Sequence, residues 1–326
     1  MKMKSIVKKL LIMSLCGLLF GCGIDKSERV VLVAGSDFQQ NQISSYADNS
    51  LKKLIQRVAS SGYEIDRLIF CGDYVYDNHS TSESMRLMKD LVSDTVSSEK
   101  LVFVQGNHDD ADLFDESVIE DEQYSIFLLH EMMMPFCAEN DDVIVKTADT
   151  LTLYLQDKIE MKETRVVFIA SHLPLHYTKR TYNDSDVQFA EAIYDVINDA
   201  AKKGLNIVYL YGHNHSNGYD DYLGGASIFL QKGDMLHVAK YGQPKAEPVE
   251  KELNFTYMNA GYLSGYSTSE SSVDKNSTVS VFVIENGKLN IMRFDEQGRH
   301  QLKSAGVYNS RLPECLNQEC YEKSVR

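Results

Sequence analysis

The sequence contains little of what marks several protein classes. Among its 326 residues are only 5 Pro and 19 Gly, which excludes collagen-like and proline-rich disordered chains. It has no Cys-x-x-Cys pair, so neither a thiolate zinc site nor a thioredoxin-like centre is expected. No stretch of about 20 consecutive apolar residues is present, and an ordinary transmembrane helix is therefore not predicted.

Basic residues are scarce as well. The chain has 33 Lys plus Arg against 47 Asp plus Glu, a net charge of −14, and its body contains no basic run. Because binding nucleic acid by charge requires Lys and Arg beside the phosphates, no nucleic-acid partner is expected. The 43% hydrophobic and 25% charged content is that of an ordinary globular chain, and the length is ample for a packed core.

The first 21 residues differ from the rest. Residues 2–9 contain four lysines, and residues 10–20 form an apolar run like that of a secretory signal peptide. The motif Leu19-Phe20-Gly21-Cys22 resembles a bacterial lipobox, in which cleavage before the cysteine is followed by lipidation of its thiol. We therefore expect a signal peptide over residues 1–21 and a secreted lipoprotein anchored through Cys22 in a cell membrane, facing the periplasm or the exterior. A plain signal peptide and an uncleaved anchor are the alternatives.

Removal of that signal peptide makes the remaining chain more acidic. It takes away four lysines and no acidic residue, and leaves 305 residues with 29 Lys plus Arg against 47 Asp plus Glu, a net charge of −18. In an oxidising compartment Cys315 and Cys320 can pair across a short loop. Cys71 falls in a predicted buried strand, where a free thiol behaves as a small apolar residue.

The pattern of the body indicates one large domain. We predict a linker over residues 22–29, a single domain over residues 30–298 and a polar C-terminal tail over residues 299–326. Within the domain, continuous apolar runs alternate with amphipathic segments, which indicates a parallel sheet with crossover helices. The predicted strands cover residues 30–34, 68–71, 101–104, 166–170 and 205–211, and the predicted helices are centred on residues 51–58, 85–92 and 189–200.

Three further segments do not continue this alternation. Residues 109–142 are rich in acidic residues and are predicted to form an insertion with some helix. Residues 150–161 are ambiguous, with helix favoured. Residues 278–285 and 288–294 flank Asn286-Gly287, a strong signal of a two-residue β-hairpin. The second half of the domain is therefore expected to add antiparallel strands.

Polar side chains directly follow five of the predicted strands. In an open parallel sheet, ligands bind beyond the carboxyl ends of the strands, so these side chains are expected at one edge. Carboxylate, carboxamide and imidazole groups together suit transition-metal ions, and neighbouring glycines let the backbone turn sharply beside them. The side chains concerned are Asp37, Asp73, Asn107, His108, His172, His213 and His215.

These residues lie in motifs that resemble those of the calcineurin-like metallophosphoesterase family. The resemblance extends from about residue 31 to residue 294. It implies a four-layer α/β/β/α sandwich of two mixed sheets with helices outside, and a two-metal site at the strand ends. It also implies a metal-dependent hydrolase of phosphate mono- or diesters that uses a metal-activated hydroxide. The motifs are Gly72-Asp73, Gly106-Asn107-His108-Asp109, His172 and Gly212-His213-Asn214-His215.

The resemblance further implies a role for each position. Asp73 would bridge two divalent or trivalent metal ions (Mn, Fe or Zn), and Asp37 and His215 would hold the first ion. His108 would face the phosphate of a small ester substrate, as general acid or as electrostatic stabiliser of the leaving oxygen. The ligands of the second ion would be Asn107, His172 and His213.

The first motif departs from the family pattern. The family normally has Asp-x-His, where this chain has Asp37-Phe38-Gln39. The second motif, Gly72-Asp73-Tyr74-Val75-Tyr76, resembles the purple acid phosphatase branch, in which the tyrosine binds ferric iron. Gln39 and Tyr76 are therefore both candidates for the missing ligand. The alternatives are that Gln39 hydrogen-bonds a water molecule and that Tyr76 is an aromatic wall.

Other assignments stay open at this point. In other branches an Asp orients the catalytic His, and Asp77 and Asp109 are candidates for that role. His176 is expected on an exposed loop rather than in the pocket. Two other functions are considered: a ligand-binding protein on this fold that has lost catalysis, which Gln39 alone supports, and a nuclease, which the acidic body disfavours.

Overall fold

The computed structural model describes residues 29–39, 46–75, 80–130, 133, 141–176, 190–213, 229–238, 249–263, 277–295 and 299–303. The helices in this part are α1 (Tyr46–Ser60), α2 (Thr81–Val92), α3 (Asp141–Glu160) and α4 (Ala190–Lys202). The strands are β1 (Val30–Gly35), β2 (Arg67–Cys71), β3 (Leu101–Val104), β4 (Val118–Glu120), β5 (Tyr124–Leu129), β6 (Val166–Ser171), β7 (Asn206–Tyr211), β8 (Phe229–Leu230), β9 (Met235–Val238), β10 (Val249–Glu252), β11 (Thr256–Asn259), β12 (Thr278–Glu285), β13 (Lys288–Asp295) and β14 (Arg299–Lys303).

Two large mixed sheets form the centre of the molecule. Sheet 1 has the strand order β14-β13-β12-β1-β2-β3, in which β1, β2 and β3 are parallel and the strands from β12 onward are antiparallel. Sheet 2 has the order β4-β5-β6-β7-β11-β8, with β5, β6, β7 and β11 parallel and an antiparallel strand at each edge. β9 and β10 pair separately as a two-stranded ribbon.

Three apolar clusters fill the spaces between the layers. Because successive side chains of a strand point to opposite faces, Leu32 and Ala34 of β1 lie between the two sheets, whereas Val31 and Val33 pack toward α1 and α2. A third cluster joins sheet 2 to α3 and α4. The result is the four-layer α/β/β/α sandwich, so the predicted fold class is confirmed.

Local sequence explains where the helices begin and end. The side chain of Ser80 accepts a hydrogen bond from the backbone N–H of Glu83 at 3.4 Å and caps the start of α2. Gly204 follows α4 with a φ of +109°, a conformation that glycine adopts without strain. No helix among the described residues is long and apolar enough to cross a membrane.

The predicted strands and the hairpin agree with the structure. β12 and β13 pair antiparallel around Asn286 and Gly287, whose φ angles of 54° and 68° are both positive. Positive φ at both central residues is what a type I′ hairpin turn requires. The helix favoured over residues 150–161 is α3, which begins earlier, at Asp141.

The helix predicted within residues 109–142 corresponds to the short 3-10 helix Ala111–Leu113, but two strands of this segment were not predicted. This segment contains β4 and β5, and all six residues of β5 are buried between its neighbouring layers. Acidic residues surround the apolar run of β5, and for that reason the sequence pattern did not indicate a buried strand there. The predicted polar tail over residues 299–326 begins with a strand, β14, which pairs with β13 at the edge of sheet 1. The predicted domain boundaries stay predictions, and Cys22, Cys315 and Cys320 lie outside the described residues.

Candidate metal centre

Five loops at the carboxyl ends of β1, β2, β3, β6 and β7 meet at one edge of the sandwich. The first three strands belong to sheet 1 and the last two to sheet 2. Backbone hydrogen bonds join the loops: Asp37 N–H donates to Gly72 O at 3.0 Å, and Gly212 N–H donates to His172 O at 2.9 Å. The site is therefore built across both sheets, as the strand-end argument predicts.

Four candidate ligands form its centre. His172 Nε2 lies 3.2 Å from Asp73 Oδ1 and 2.9 Å from Asn107 Oδ1. His213 Nδ1 lies 2.9 Å from the same Asn107 oxygen and 3.3 Å from His172 Nε2. The ligand atoms of Asp73, His172 and His213 all lie within 4.8 Å of one another, and these three residues are buried.

This cluster fits a transition-metal ion. Ligands about 2.1 Å from an ion in octahedral coordination lie about 3.0 Å from each other along the edges of the octahedron. The four distances given above, 2.9 to 3.3 Å, match that spacing. Two imidazole nitrogens, a carboxylate and a carboxamide oxygen also form a donor set that Mn, Fe and Zn accept.

A backbone carbonyl orients one of the imidazoles. His172 Nδ1 lies 2.8 Å from Cys71 O, to which it donates its proton. A ligand imidazole whose second nitrogen donates to a carbonyl is held in one tautomer and one orientation. Cys71 itself is buried, and its thiol packs between the sheets as predicted.

Charges within the cluster shift the pKa values of its members. Burial by itself would raise the pKa of Asp73, but the facing imidazoles of His172, His108 and His213 lower it below its ordinary value. Burial by itself would lower the pKa of His172, but the Asp73 carboxylate outweighs it and raises that pKa. A bound cation would replace the imidazolium charge beside Asp73, and His172 would then bind it through a deprotonated Nε2.

Asp37 and Gln39 lie next to this cluster, on the loop after β1. Both side chains are buried. Asp37 Oδ2 accepts a hydrogen bond from the backbone N–H of His213 at 3.1 Å, and Gln39 Nε2 lies 3.5 Å from Asp73 Oδ2. Gln39 therefore adjoins the second oxygen of Asp73, and Asp37 adjoins the loop that carries His213. His215 and Tyr76, the other candidates for that ion, lie outside the described residues.

The backbone is strained at four of these positions. Asp37, Gln39, Asp73 and His213 have φ angles of 55°, 45°, 56° and 69°. Non-glycine residues adopt this left-handed region at a cost, and such strain is concentrated at functional sites because the surrounding contacts must enforce it. The strained conformation aims these side chains toward one another.

Two glycines allow the loops to approach this closely. A Cβ atom on Gly106 would lie 2.3 Å from the backbone nitrogen of Asp73 and 2.4 Å from its Oδ1. A Cβ atom on Gly212 would lie 2.5 Å from Ser36 Oγ and 2.9 Å from Asp37 Oδ2. Only glycine therefore fits at these positions, whose neighbours are the candidate ligands.

His108 occupies the rim of the site. Its backbone N–H donates to Asp73 Oδ1 at 3.2 Å, and its side-chain Nε2 lies 4.0 Å from Asp73 Oδ2. With 39% of its side chain exposed, it is the candidate residue of this cluster that solvent reaches most readily. An imidazole at this place can meet a substrate that enters from solvent.

The Asp109 carboxylate accepts hydrogen bonds from the backbone of three residues. Its Oδ2 accepts the backbone N–H groups of Asp73 at 2.9 Å and Gly106 at 2.8 Å, and its Oδ1 accepts that of Tyr74 at 2.9 Å. The carboxylate thus joins the loops after β2 and β3, and its candidate role of orienting His108 stays a prediction. Asp77, the other candidate for that role, lies outside the described residues. Burial and the nearby Asp73 carboxylate raise the pKa of Asp109, and the N–H groups oppose that rise.

The structure thus brings together Asp37, Gln39, Asp73, Asn107, His172 and His213, with His108 beside them. The expectation that His176 lies on an exposed loop was wrong, because 2% of this residue is exposed. Sequence reasoning missed Ser36, whose hydroxyl contacts Asp37 Oδ2 at 2.5 Å. The sequence feature that could have identified Ser36 is its position directly before the candidate ligand Asp37.

Comparisons with known proteins identify one family. The sequence model of the calcineurin-like phosphoesterases matches residues 36–239. No curated protein matches the chain.

Solved structures with a similar fold have low identity. A dimetal phosphatase from Danio rerio is 10% identical, with a TM-score of 0.48 over 83% of this chain and 98% of that one. A predicted phosphoesterase from Streptococcus pneumoniae is 11% identical, with a TM-score of 0.37 over 86% and 97%. A purple acid phosphatase from yellow lupin (Lupinus luteus) seeds is 12% identical, with a TM-score of 0.47 over 86% and 53%. These TM-scores lie below 0.5, so the family assignment rests on the sequence match.

Asp109→Ala is expected to damage both stability and metal binding. It leaves three buried N–H groups without their acceptor, which should lower the free energy of unfolding by about 3 kcal/mol or more. Asp109→Asn keeps one acceptor oxygen and should lose less. Urea unfolding and Mn²⁺ titration measure the two effects. Asp110→Ala, an exposed neighbour, is the control and should behave as the parent; a parent-like Asp109→Ala would contradict the account.

Proposed function

Since this chain belongs to the calcineurin-like phosphoesterase family, and is thus a metallophosphoesterase, we propose that it hydrolyses phosphate mono- or diesters with two metal ions held on either side of Asp73. The observation that carries this proposal is the meeting of Asp73, Asn107, His172 and His213 at distances of 2.9 to 3.3 Å. Those distances suit the ligands of one ion, and Asp37 adjoins the cluster where a second ion requires a ligand.

The proposed ligand assignment combines the contacts of the described residues with the roles that the family resemblance implies. Asn107, His172 and His213 contact one another on the Oδ1 side and would hold one ion. Asp37 would hold the other, together with His215, and with Gln39 or Tyr76 completing that site. The contact of Gln39 with Asp73 Oδ2 supports Gln39, because rotating its amide by 180° presents the amide oxygen in place of the nitrogen.

Bound metal ions would neutralise the phosphoryl oxygens and lower the pKa of a coordinated water. The protein's own groups would orient the reaction. His108, exposed on the rim and 4.0 Å from Asp73 Oδ2 through its Nε2, can donate a proton to the leaving oxygen or stabilise the charge that develops there. Asp73 would keep the two ions at a fixed separation, because the Asp109 carboxylate fixes its backbone.

The expected substrate is a small phosphate ester. The net charge of −14 opposes binding of a long polyanion by charge. Metal ions are the largest local charges in such a site and can attract a small anion despite the acidic surface.

Hydrolysis of a chromogenic phosphomonoester and of its diester tests this function. After chelation, activity should return on addition of Mn, Fe or Zn. Asp73→Ala should abolish turnover and strip the metal. His108→Ala should keep the metal and lower kcat about 10²- to 10⁴-fold. Asp110→Ala is the control for folding and should retain both properties.

Three results would count against the proposal. A folded parent chain with no turnover under any metal would refute hydrolysis. One bound ion without turnover would instead favour the ligand-binding alternative. Unchanged turnover in His108→Ala would refute the role given to that residue.

We also propose that the chain works outside the cytoplasm, held by a lipid on Cys22. The basic and apolar pattern of residues 1–21 and the lipobox resemblance support this. Metabolic labelling of bacteria with a radioactive fatty acid should mark the parent chain and leave Cys22→Ser unlabelled. Cys16→Ser, in the apolar run, is the matched control and should stay labelled. Label that persists in Cys22→Ser would contradict the anchor.

A further inference from the structure

Two buried tyrosines of sheet 2 hold the loop that carries His172. The Tyr209 hydroxyl, on β7, donates to Leu173 O at 2.8 Å. The Tyr257 hydroxyl, on β11, accepts the backbone N–H of Leu175 at 2.8 Å and that of His176 at 3.3 Å. Backbone groups at three of the four positions after His172 are thus bound by tyrosine hydroxyls.

The hydrogen-bonding capacity of the Tyr257 hydroxyl is fully used. Besides accepting two N–H groups, it lies 2.7 Å from His176 Nδ1, to which it donates its proton. A phenol has two acceptor lone pairs and one proton, so this group makes every bond available to it. Burial, first, and the neighbouring Tyr211 and Tyr209 raise the pKa of Tyr257 well above its ordinary value, so the proton stays on the hydroxyl.

Ring stacking fixes where that hydroxyl lies. The Tyr257 ring stacks on Tyr209 with centroids 5.5 Å apart and on Tyr211 with centroids 4.7 Å apart. Tyr257 pairs with Tyr209 in the register of β11 and β7. The pairing of β11 with β7 therefore fixes the positions of both hydroxyls. Through their hydrogen bonds, these hydroxyls fix the backbone of the loop after β6.

Hydrogen bonds fix the His172 side chain, its backbone carbonyl and the residues that follow it. Its Nδ1 donates to Cys71 O, and its own carbonyl accepts the Gly212 N–H at 2.9 Å. The chain that continues from it is bound by Tyr209 within one residue and by Tyr257 within three. A shift of this loop would move His172 Nε2 away from Asp73 and Asn107.

We propose that Tyr209 and Tyr257 are positioning residues of the metal centre, which fix residues 173–176 and so aim His172 Nε2 at the ion. This inference rests on the proposed function, in which His172 is a metal ligand. Outer partners that orient a metal ligand typically contribute 10- to 100-fold to metal affinity. Neither tyrosine needs to contact the ion or the substrate.

The test compares three isosteric substitutions in the full chain: Tyr257→Phe, Tyr209→Phe and, as control, Tyr194→Phe. Tyr194 is buried in the same apolar cluster, but its hydroxyl, which is partly buried, donates to Glu252 O. Co²⁺ titration gives the affinity, and the visible absorption of bound Co²⁺ reports the ligand geometry. Thermal unfolding gives the stability of each variant.

We expect about 10- to 100-fold weaker Co²⁺ binding and an altered spectrum for Tyr257→Phe. Tyr209→Phe, which loses the bonds to Leu173 O and to the Ser171 side chain, should show a smaller effect in the same direction. Tyr194→Phe should lose thermal stability without losing affinity or changing the spectrum. If Tyr257→Phe fails to fold, Tyr209→Phe alone decides the question.

The contradicting outcomes are separable. Parent-like affinity and spectrum in the tyrosine variants, with a parent chain that binds Co²⁺, overturn the positioning role and leave the proposed function standing. Equal losses in Tyr194→Phe also overturn it, because the effect would then be one of general stability. A folded parent chain that binds no Co²⁺ contradicts both proposals.

Discussion

One buried carboxylate, Asp73, constrains the rest of the site. A charged group taken out of water needs compensating partners close by, and Asp73 has them in the facing imidazoles of His172 and His213 and in the backbone N–H of His108. Its backbone is held in the left-handed region by the Asp109 carboxylate. These partners come from the ends of three strands, β3 of sheet 1 and β6 and β7 of sheet 2, so the carboxylate requires both sheets to be assembled.

Hydrogen bonds between the loops at the strand ends hold these partners together. The loop after β1 bonds to the loop after β2, the loop after β7 bonds to that after β6, and Asp109 joins the loops after β2 and β3. Because Gly106 and Gly212 have no Cβ atom, the neighbouring loops can approach each other closely at these two positions. Tyr209 of β7 and Tyr257 of β11 add hydrogen bonds to the backbone of the residues that follow the candidate ligand His172.

Sequence reasoning finds the candidate ligands more readily than the residues that support them. Asp73, Asn107, His172 and His213 each follow an apolar run, and that local pattern is visible without a structure. The role of Asp109 depends on two loops 36 residues apart in the chain, and that of Tyr257 on a loop 82 residues away, so neither leaves a local pattern. The strand β5 was missed because acidic neighbours break the alternation that marks buried strands elsewhere in the chain.

The central claim is that Asp73 lies between two metal ions. Anomalous diffraction from crystals of the full chain grown with Mn²⁺ tests it most directly. The account predicts two peaks per chain, one within about 2.3 Å of ligand atoms from Asp73, Asn107, His172 and His213, and one on the Asp37 side of the same carboxylate. Two empty sites in a folded crystal soaked at high Mn²⁺, or an ion bound away from Asp73, would contradict it.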